Sequence, residues 1–196
     1  MLDNKVLGTL CPNGKRKDGL LGLEIEIEGK NLRLIDSPLW RTEMDHSLKA
    51  AEAYEYVLRE PLNRPEVEEA LGELNNSLKN STFGSSYRAG THVHINCQEL
   101  TLKQLATFLT LLWSFEPLIV RDCGKERVGN LFCLRTVDAE AYIPHMIQSV
   151  TNGGTPFFHM VPDSVKYSAV NTGSLRRYGT IELRCMRSTT DPEVLL

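Results

Sequence analysis

The sequence lacks a hydrophobic run long enough for a membrane span, which needs about eighteen apolar residues, and it lacks the apolar core of an N-terminal signal peptide. These absences predict no membrane partner. Cysteine is sparse: the five cysteines are odd in number, and no two of them form a Cys-x-x-Cys pair. This pattern argues against a disulfide framework and against a zinc knuckle. We therefore predict reduced, buried thiols in a cytoplasmic protein.

An excess of positive charge is also missing. The 196 residues include 22 basic and 25 acidic side chains, for a formal net charge of -3. This balance gives no electrostatic reason to expect a nucleic-acid partner. A hydrophobic fraction of 41% is enough for one sizeable core. Residues 1–19 are polar and rich in Lys, Gly and Asn, which predicts a flexible N-terminal arm ahead of a single domain at 20–196.

Acidic residues recur with a period of two near the start of this domain. In Gly22–Glu28, Glu24, Glu26 and Glu28 alternate with Leu and Ile. Because successive side chains of a strand point to opposite faces, these carboxylates would share one face and the apolar residues the other. Glu28 lies next to a turn, where we expect solvation. Alternating glutamates often form only a solvated face, so this segment alone does not establish a site.

Two later segments repeat the alternation with different chemistry. Gly90–Asn96 places His92 and His94 on one face of a strand, with Val and Ile on the other. Thr180–Arg184 likewise places Thr180, Glu182 and Arg184 on one face of a strand, with Ile and Leu on the other. An acidic, a histidine-bearing and a mixed-charge strand would repel one another unless something between them uses the charge. Divalent cations and a polyphosphate meet that requirement.

The remaining patterns predict an α+β domain with a largely antiparallel sheet, because helices and hairpins lack regular β-α-β alternation. Leu21–Glu28 and Leu32–Ile35 are separated by a short Gly- and Asn-bearing connection that suits a hairpin. An amphipathic helix begins near Pro65. A second helix begins with the capping-box pattern at Thr101 and extends to Glu116. Since this helix is apolar nearly all round, we expect it to be buried and central.

Four segments in one order resemble the phage-type amidoligases: GLEIEIEG, then Asp45–Leu48, then GTHVHIN, then Asn171 followed by GTIELR. These amidoligases belong to the carboxylate-amine ligase superfamily of glutamine synthetase and glutamate-cysteine ligase. The resemblance extends from about Gly22 to Asp191. It implies a glutamine synthetase/guanido kinase-like catalytic fold, in which a curved, largely antiparallel sheet cups the active site and helices pack on its other face.

The resemblance also implies ATP-dependent formation of an amide or peptide bond through an acyl phosphate. The partners would be a small-molecule, peptide or cell-wall carboxylate and an amine, with ATP as co-substrate and Mg²⁺ or Mn²⁺ as cofactor. The protein would act in the cytoplasm, that of the host if the chain is phage-encoded. Two other functions remain open. A metal-dependent hydrolase could use the same ligands, and a catalytically silent phage assembly or binding protein could retain them.

Residue roles follow from the resemblance alone. It implies metal ligands at Glu24, Glu26, Asp45, Glu55, His92 and Glu182. It implies ATP or substrate contacts at Arg127, Asn171, Arg184, Arg187 and His94. Glu182 and Arg184 would act in catalysis, with Arg184 contacting the transferred phosphoryl group and Asn171 orienting Arg127 or Arg187.

Three points stay open in the sequence. Residues 50–59 have both helical and strand character; we favour a strand with Glu55 facing the site, although Glu52 or Glu60 could be the true counterpart. Arg184 could simply bridge Glu182, but a neighbouring pair two residues apart on one strand is expected to be strained. Asp191 and the proline after it predict a helix start close to the last residue, which suggests a truncated catalytic domain.

Overall fold

The computed structural model describes residues 3–84, 86–138 and 167–196. Within these residues, the protein is α+β, with an open sheet of seven antiparallel strands in the order β2-β3-β1-β5-β7-β6, and β4 beside the end of β1. The predicted fold class is thereby confirmed; the specific catalytic fold stays a prediction. The strands are β1 (Leu21–Lys30), β2 (Trp40–Met44), β3 (Glu52–Leu58), β4 (Thr82–Phe83), β5 (Gly90–Asn96), β6 (Val170–Asn171) and β7 (Thr180–Arg187).

Five α-helices lie in the described part of the chain, two of them long enough to cover the sheet. They are α1 (Val6–Thr9), α2 (Arg64–Leu78), α3 (Leu102–Asp122), α4 (Ser174–Tyr178) and α5 (Pro192–Leu195). Short 3₁₀ turns occur at Lys125–Arg127 and Thr136–Asp138. Among the helices described, none combines the length and the apolar character that a bilayer crossing requires.

The two faces of β1 differ in the way that its alternation predicts. Leu23, Ile25 and Ile27 are buried in a cluster that includes Leu71 and Leu74 of α2. Each such side chain contributes about 1.5–3 kcal/mol when it leaves water. The glutamates between them occupy the opposite face. Burial of the apolar face therefore fixes the register that presents the carboxylates together.

The predicted amphipathic helix is confirmed in α2. Asn63 and Glu66 form a capping box ahead of it, in which the Asn63 N–H donates to the Glu66 carboxylate at 2.8 Å. Trp40 of β2 ties the helix to the sheet, because its indole Nε1 donates to the Ala70 carbonyl at 2.8 Å. The helix residues that face the sheet are all buried: Val67, Ala70, Leu71, Leu74 and Leu78.

The capping box at Thr101 is confirmed, but two expectations for its helix are wrong. α3 continues through Pro117 to Asp122 rather than ending at Glu116. It is also not buried all round: Leu111 and Phe115 are each 53% exposed. A helix that packs on one side of a sheet buries only the stripe facing it, so uniform apolar character does not specify a central position.

The predicted hairpin is wrong as well. Leu32–Ile35 forms no strand, and β1 instead pairs with β3 and β5. Asn31 adopts a positive φ of 56° and turns the chain away after β1. The backbone of Ile35 is then satisfied by the Thr42 hydroxyl, which accepts from its N–H at 2.7 Å and donates to its carbonyl at 2.9 Å. A side chain here replaces the strand ladder that the pattern predicted.

The segment before residue 20, expected to be a flexible arm, lies against the core in the structure. Val6 and Leu10 are buried in a cluster with Leu105 and Leu109 of α3. Further along, the buried Gln98 side chain accepts from the Lys17 N–H at 2.9 Å. Its amide donates to the carbonyls of residues 15 and 178, each at 2.9 Å. The division of the chain at residue 19 stays a prediction, but this segment packs as part of the fold.

We predict that Gln98→Ala lowers the free energy of unfolding by about 2 kcal/mol, because it leaves three backbone groups without their partner. Urea unfolding followed by circular dichroism measures the change. Asn76→Ala, at an exposed position of α2, is the matched control and should change the stability by less than about 0.5 kcal/mol. Equal effects of the two substitutions would show that Gln98 does not anchor the N-terminal segment.

Candidate active site

One face of the sheet gathers the residues that the alternating strands presented separately. In the strand register, Glu24 of β1 lies opposite His92 of β5, and His94 lies opposite Glu182 of β7. Ligand atoms of Glu24, His92 and Glu182 all lie within 4.8 Å of one another. His92 Nδ1 is 3.4 Å from Glu24 Oε2 and 3.7 Å from Glu182 Oε1. This first acidic group could hold a divalent cation.

A second acidic group lies on the other side of the same imidazole. β1 and β3 pair Glu26 with Glu55, and ligand atoms of these two residues and of His92 lie within 4.8 Å of one another. His92 Nε2 is 3.6 Å from Glu26 Oε1. The strand favoured for residues 50–59 is confirmed as β3, and Glu55 shares the sheet face of Glu26, while its role as a metal ligand stays a prediction. A single histidine side chain is shared by two candidate cation sites.

Arg184 of β7 belongs to the same face of the sheet. His94 lies opposite Glu182 and Val93 opposite Leu183, and the next step along both strands brings Arg184 to His92; a β-bulge follows before Thr91 pairs with Met186. The guanidinium of Arg184 forms an ion pair with the Glu182 carboxylate two residues away. The expectation that strain would prevent this pair is wrong.

The guanidinium of Arg184 also approaches the imidazole. Arg184 Nη1 lies 3.3 Å from His92 Nδ1, the ring nitrogen that faces Glu24 and Glu182. Arg184 and His92 therefore both bring nitrogen atoms to the carboxylates of the first acidic group.

Other polar groups fix the carboxylates in place. Asn171 of β6 donates its side-chain amide to Glu182 Oε2 at 2.7 Å and accepts from the Gly173 N–H at 2.8 Å. It therefore orients Glu182, and the prediction that it orients Arg127 or Arg187 is wrong. On the other side of the cluster, the Gly90 N–H donates to Glu26 Oε2 at 2.8 Å. Such contacts preset the orientation of the charged oxygens.

His94 contacts Glu24 from the neighbouring strand, and its predicted contact with ATP or substrate stays a prediction. Its Nε2 is 3.3 Å from Glu24 Oε1, and its Nδ1 is 3.1 Å from the Thr180 hydroxyl. Burial by itself would raise the pKa of Glu24, but the hydrogen bonds and charges of His92 and His94 outweigh it and hold that pKa well below its ordinary value. Glu24 therefore stays ionised.

In the second acidic group, the pKa values of Glu26 and Glu55 are both raised. Burial, followed by the charges of Glu24 and Glu26, raises the pKa of Glu55 to about 8. Burial also raises the pKa of Glu26, against the opposing charge of His92. Without a bound cation, the group holds a proton near neutral pH because it lacks positive charge.

Two arginines do not reach the cluster. Arg127 is only 1% exposed, and it donates to the Arg184 carbonyl at 2.7 Å and to the Ala89 carbonyl at 3.5 Å. It ties β7 to the residue before β5, which corrects its assignment to ATP or substrate. Arg187 lies at a separate surface and approaches the Cys123 carbonyl at 3.4 Å. Neither placement could be read from the sequence, because each depends on the course of the chain after α3.

The remaining acidic candidates are bound elsewhere. Asp45 accepts from the Ser47 N–H and hydroxyl at 2.7 and 2.8 Å, and it joins neither acidic group. Glu28 accepts the N–H groups of Lys49 and Ala50, so it anchors a loop and is not merely solvated.

The two alternatives to Glu55 also have partners outside the cluster. Glu52 accepts the Leu32 N–H at 2.7 Å, and Glu60 pairs with Lys17. Among the three glutamates weighed for this strand, only Glu55 shares a candidate cation site with Glu26 and His92.

A cavity of about 470 Å³ adjoins the cluster and meets it at Glu24 and His94. Its cationic lining was missed in the sequence: Lys15, Lys17, Arg41, Arg59 and Arg177. One signal was available: Arg41 follows the buried Trp40 in β2, as Glu24 follows the buried Leu23 in β1. Lys15 and Lys17 lie in the segment that the sequence predicts to be a flexible arm.

We predict that the metal-free protein loses stability as the pH rises from about 4.5 to about 8, because Glu55 must ionise against its neighbours. A carboxyl group whose pKa is higher in the folded protein than in the unfolded protein stabilises the fold while it is protonated. This contribution is fully present below the unfolded pKa and is lost as the pH rises through the folded pKa. Glu55→Gln should match the parent at low pH and exceed it above pH 8. Urea unfolding in EDTA across this range measures both proteins; parallel curves would contradict the prediction.

The sequence matches the model of a protein family described as "Putative amidoligase enzyme" over residues 28–195. This range contains Glu55, His92, Glu182 and Arg184, and begins after Glu24 and Glu26. The match confirms the amidoligase family named from the sequence resemblance, while the phage origin and the superfamily stay predictions. No curated protein matches the chain. Because the family model covers most of the sequence, the chain belongs to this amidoligase family.

Proposed function

We propose that the protein is an ATP-dependent carboxylate-amine ligase that forms an amide through an acyl phosphate. The amidoligase family suggests an amide-bond ligase. The observation that carries the finer proposal is the pair of acidic groups sharing His92, with Arg184 at their edge. Phosphoryl transfer from ATP uses clustered carboxylates to hold cations and a guanidinium to bind the transferred group.

The donor set fits a hard divalent cation. Four carboxylates converge on one imidazole, while the described part of the cluster contributes one guanidinium. Oxygen donors suit Mg²⁺, and an added imidazole is also acceptable to Mn²⁺. Glu24 and Glu182 would hold one cation with His92, and Glu26 and Glu55 would hold another. When bound, such cations neutralise phosphate charge and polarise the phosphoryl oxygens. Cation binding would also offset the repulsion between Glu55 and the neighbouring carboxylates.

In the first step, a substrate carboxylate oxygen attacks the γ-phosphorus of ATP, the bond from phosphorus to the ADP oxygen breaks, and ADP leaves. Arg184 is placed to bind the transferred group. Its Nη1 already meets Glu182, and its buried Nε has no hydrogen-bond partner among the described residues. That open donor, in a planar guanidinium, matches phosphoryl oxygens. Asn171 keeps Glu182 aligned beside it.

In the second step, the amine nitrogen attacks the acyl carbon, the carbon–oxygen bond to phosphate breaks, and a proton and phosphate are released. A low-dielectric site strengthens fixed charges around the developing negative charge. The near-complete burial of Glu26, His92 and Glu182 supplies such surroundings. Because His92 and His94 hold the pKa of Glu24 low, Glu24 keeps its negative charge during both steps.

The direct test is mass spectrometry of the protein incubated with ATP, Mg²⁺ and pooled amino acids. The proposal predicts products lighter by one water than the summed reactants, with one ADP and one phosphate formed per amide. Products that form without ATP consumption, or hydrolysis of supplied amides, would favour the metal-dependent hydrolase instead. Metal binding without nucleotide binding would favour a catalytically silent protein.

We predict that Arg184→Lys lowers turnover by about 100-fold and changes ATP affinity by less than about tenfold. Lysine keeps the charge but loses the fork that grips the phosphoryl group in the transition state. Steady-state kinetics and nucleotide titration separate the two effects. Arg135→Lys, in an exposed pair with Asp138, is the control and should leave both unchanged. Small, equal losses of affinity and turnover for Arg184→Lys would contradict the assigned role.

A further inference from the structure

The cavity beside the acidic cluster has its own connection to the site. It is lined by Glu24 and His94 of the cluster, whereas His92, Glu182 and Arg184 do not line it. A phosphoryl group bound at Arg184 would therefore lie outside this space.

The charge of the cavity is opposite to that of the cluster. Five cationic side chains and two acidic ones, Glu24 and Glu60, line it. Lys17, Arg41 and Arg59 already pair with carboxylates of this chain: Glu60, Glu43 and Asp36. For Lys15 and Arg177, no ion pair with a carboxylate occurs within residues 3–84, 86–138 and 167–196. Two cationic groups are thus left for an anionic ligand.

The walls of the cavity are held in place by buried amides. Gln98 is 2% exposed and joins the N-terminal segment to the end of α4, because it donates to the carbonyls of Lys15 and Tyr178. Asn96 donates to the carbonyls of Lys17 and Gly19 at 2.8 and 2.9 Å. These contacts position the backbone that carries both lysines. These hydrogen bonds therefore hold this wall of the cavity in a fixed position.

A glycine, Gly22, leaves open space in the cavity where a side chain would otherwise lie. Gly22 precedes Glu24 on the same face of β1 and pairs with His94. A Cβ atom at Gly22 would lie 3.3 Å from the His94 Cβ, and a longer side chain would extend into the space that both residues line. Glycine here keeps the passage between the cavity and Glu24 open.

We propose that this cavity binds the anionic end of the carboxylate substrate, and that the substrate carries a second carboxylate, as an acidic amino acid or an acidic peptide does. The inference rests on the proposed ligase function. The reacting carboxylate would lie at the cation sites near Glu24, while the second carboxylate of the substrate would contact Lys15 and Arg177. Guanidinium and ammonium groups bind carboxylates in this way.

The test is calorimetric titration of the full chain, in Mg²⁺, with two separate probes: the dipeptide glutamyl-glutamate and a non-hydrolysable ATP analogue. We expect Lys15→Glu and Arg177→Glu each to weaken dipeptide binding by about tenfold, since each replaces an attraction by a repulsion. Affinity for the ATP analogue should stay within about twofold. Lys103→Glu, an equal charge reversal on exposed α3, should affect neither probe.

Three results would overturn the inference. Loss of nucleotide affinity with unchanged dipeptide affinity would assign the cavity to ATP. Equal dipeptide affinity in all variants would remove the two cationic residues from the site, and a parent chain that does not bind the dipeptide would exclude this substrate class. Because turnover is not the readout, the cavity assignment can fail while ATP-dependent amide formation stands. Conversely, the dipeptide can bind in a chain that forms no amide.

Discussion

Repulsion among carboxylates on one sheet face is the constraint on which the site depends. Within the described residues, Glu24, Glu26, Glu55 and Glu182 surround His92, with His94 beside Glu24 and the Arg184 guanidinium at their edge. Burial makes each uncompensated charge costly, and the raised pKa of Glu55 reflects that cost. The fold tolerates the arrangement because the opposite face buries apolar clusters under α2 and α3. Stability is thus supplied on one face, and charge is concentrated on the other.

The charges are also ordered along the strands. The cluster is acidic where β1, β3, β5 and β7 meet, while the adjoining cavity is lined mainly by cationic side chains. Glu24 and His94 belong to both regions. A ligand with several negative groups can therefore span them, with one group at the cation sites and another among the lysines and arginines. Under the proposed function, this separation would put the phosphoryl group at Arg184 and the substrate in the cavity.

The sequence predicted the parts of the site that depend on local periodicity. Alternation in β1, β5 and β7 was sufficient to place Glu24, His92 and Glu182 on one face, and a capping box identified the start of α3. Alternation also placed Arg184 on this face, but the pairing of β5 with β7, which brings it to His92, joins two distant segments and is not contained in either one. The buried position of Arg127 depends on the course of the chain after α3 and had no local signal. The cationic cavity was missed because its wall comes from residues 13–17, which show no periodicity.

Anomalous scattering from crystals grown with Mn²⁺ tests the central claim, that the acidic face holds divalent cations, most directly. The account predicts two peaks, one in contact with Glu24 and Glu182 and the other with Glu26 and Glu55, with His92 between them. An acidic face without a peak, on which Arg184 and shared protons alone compensate the four carboxylates, would contradict it.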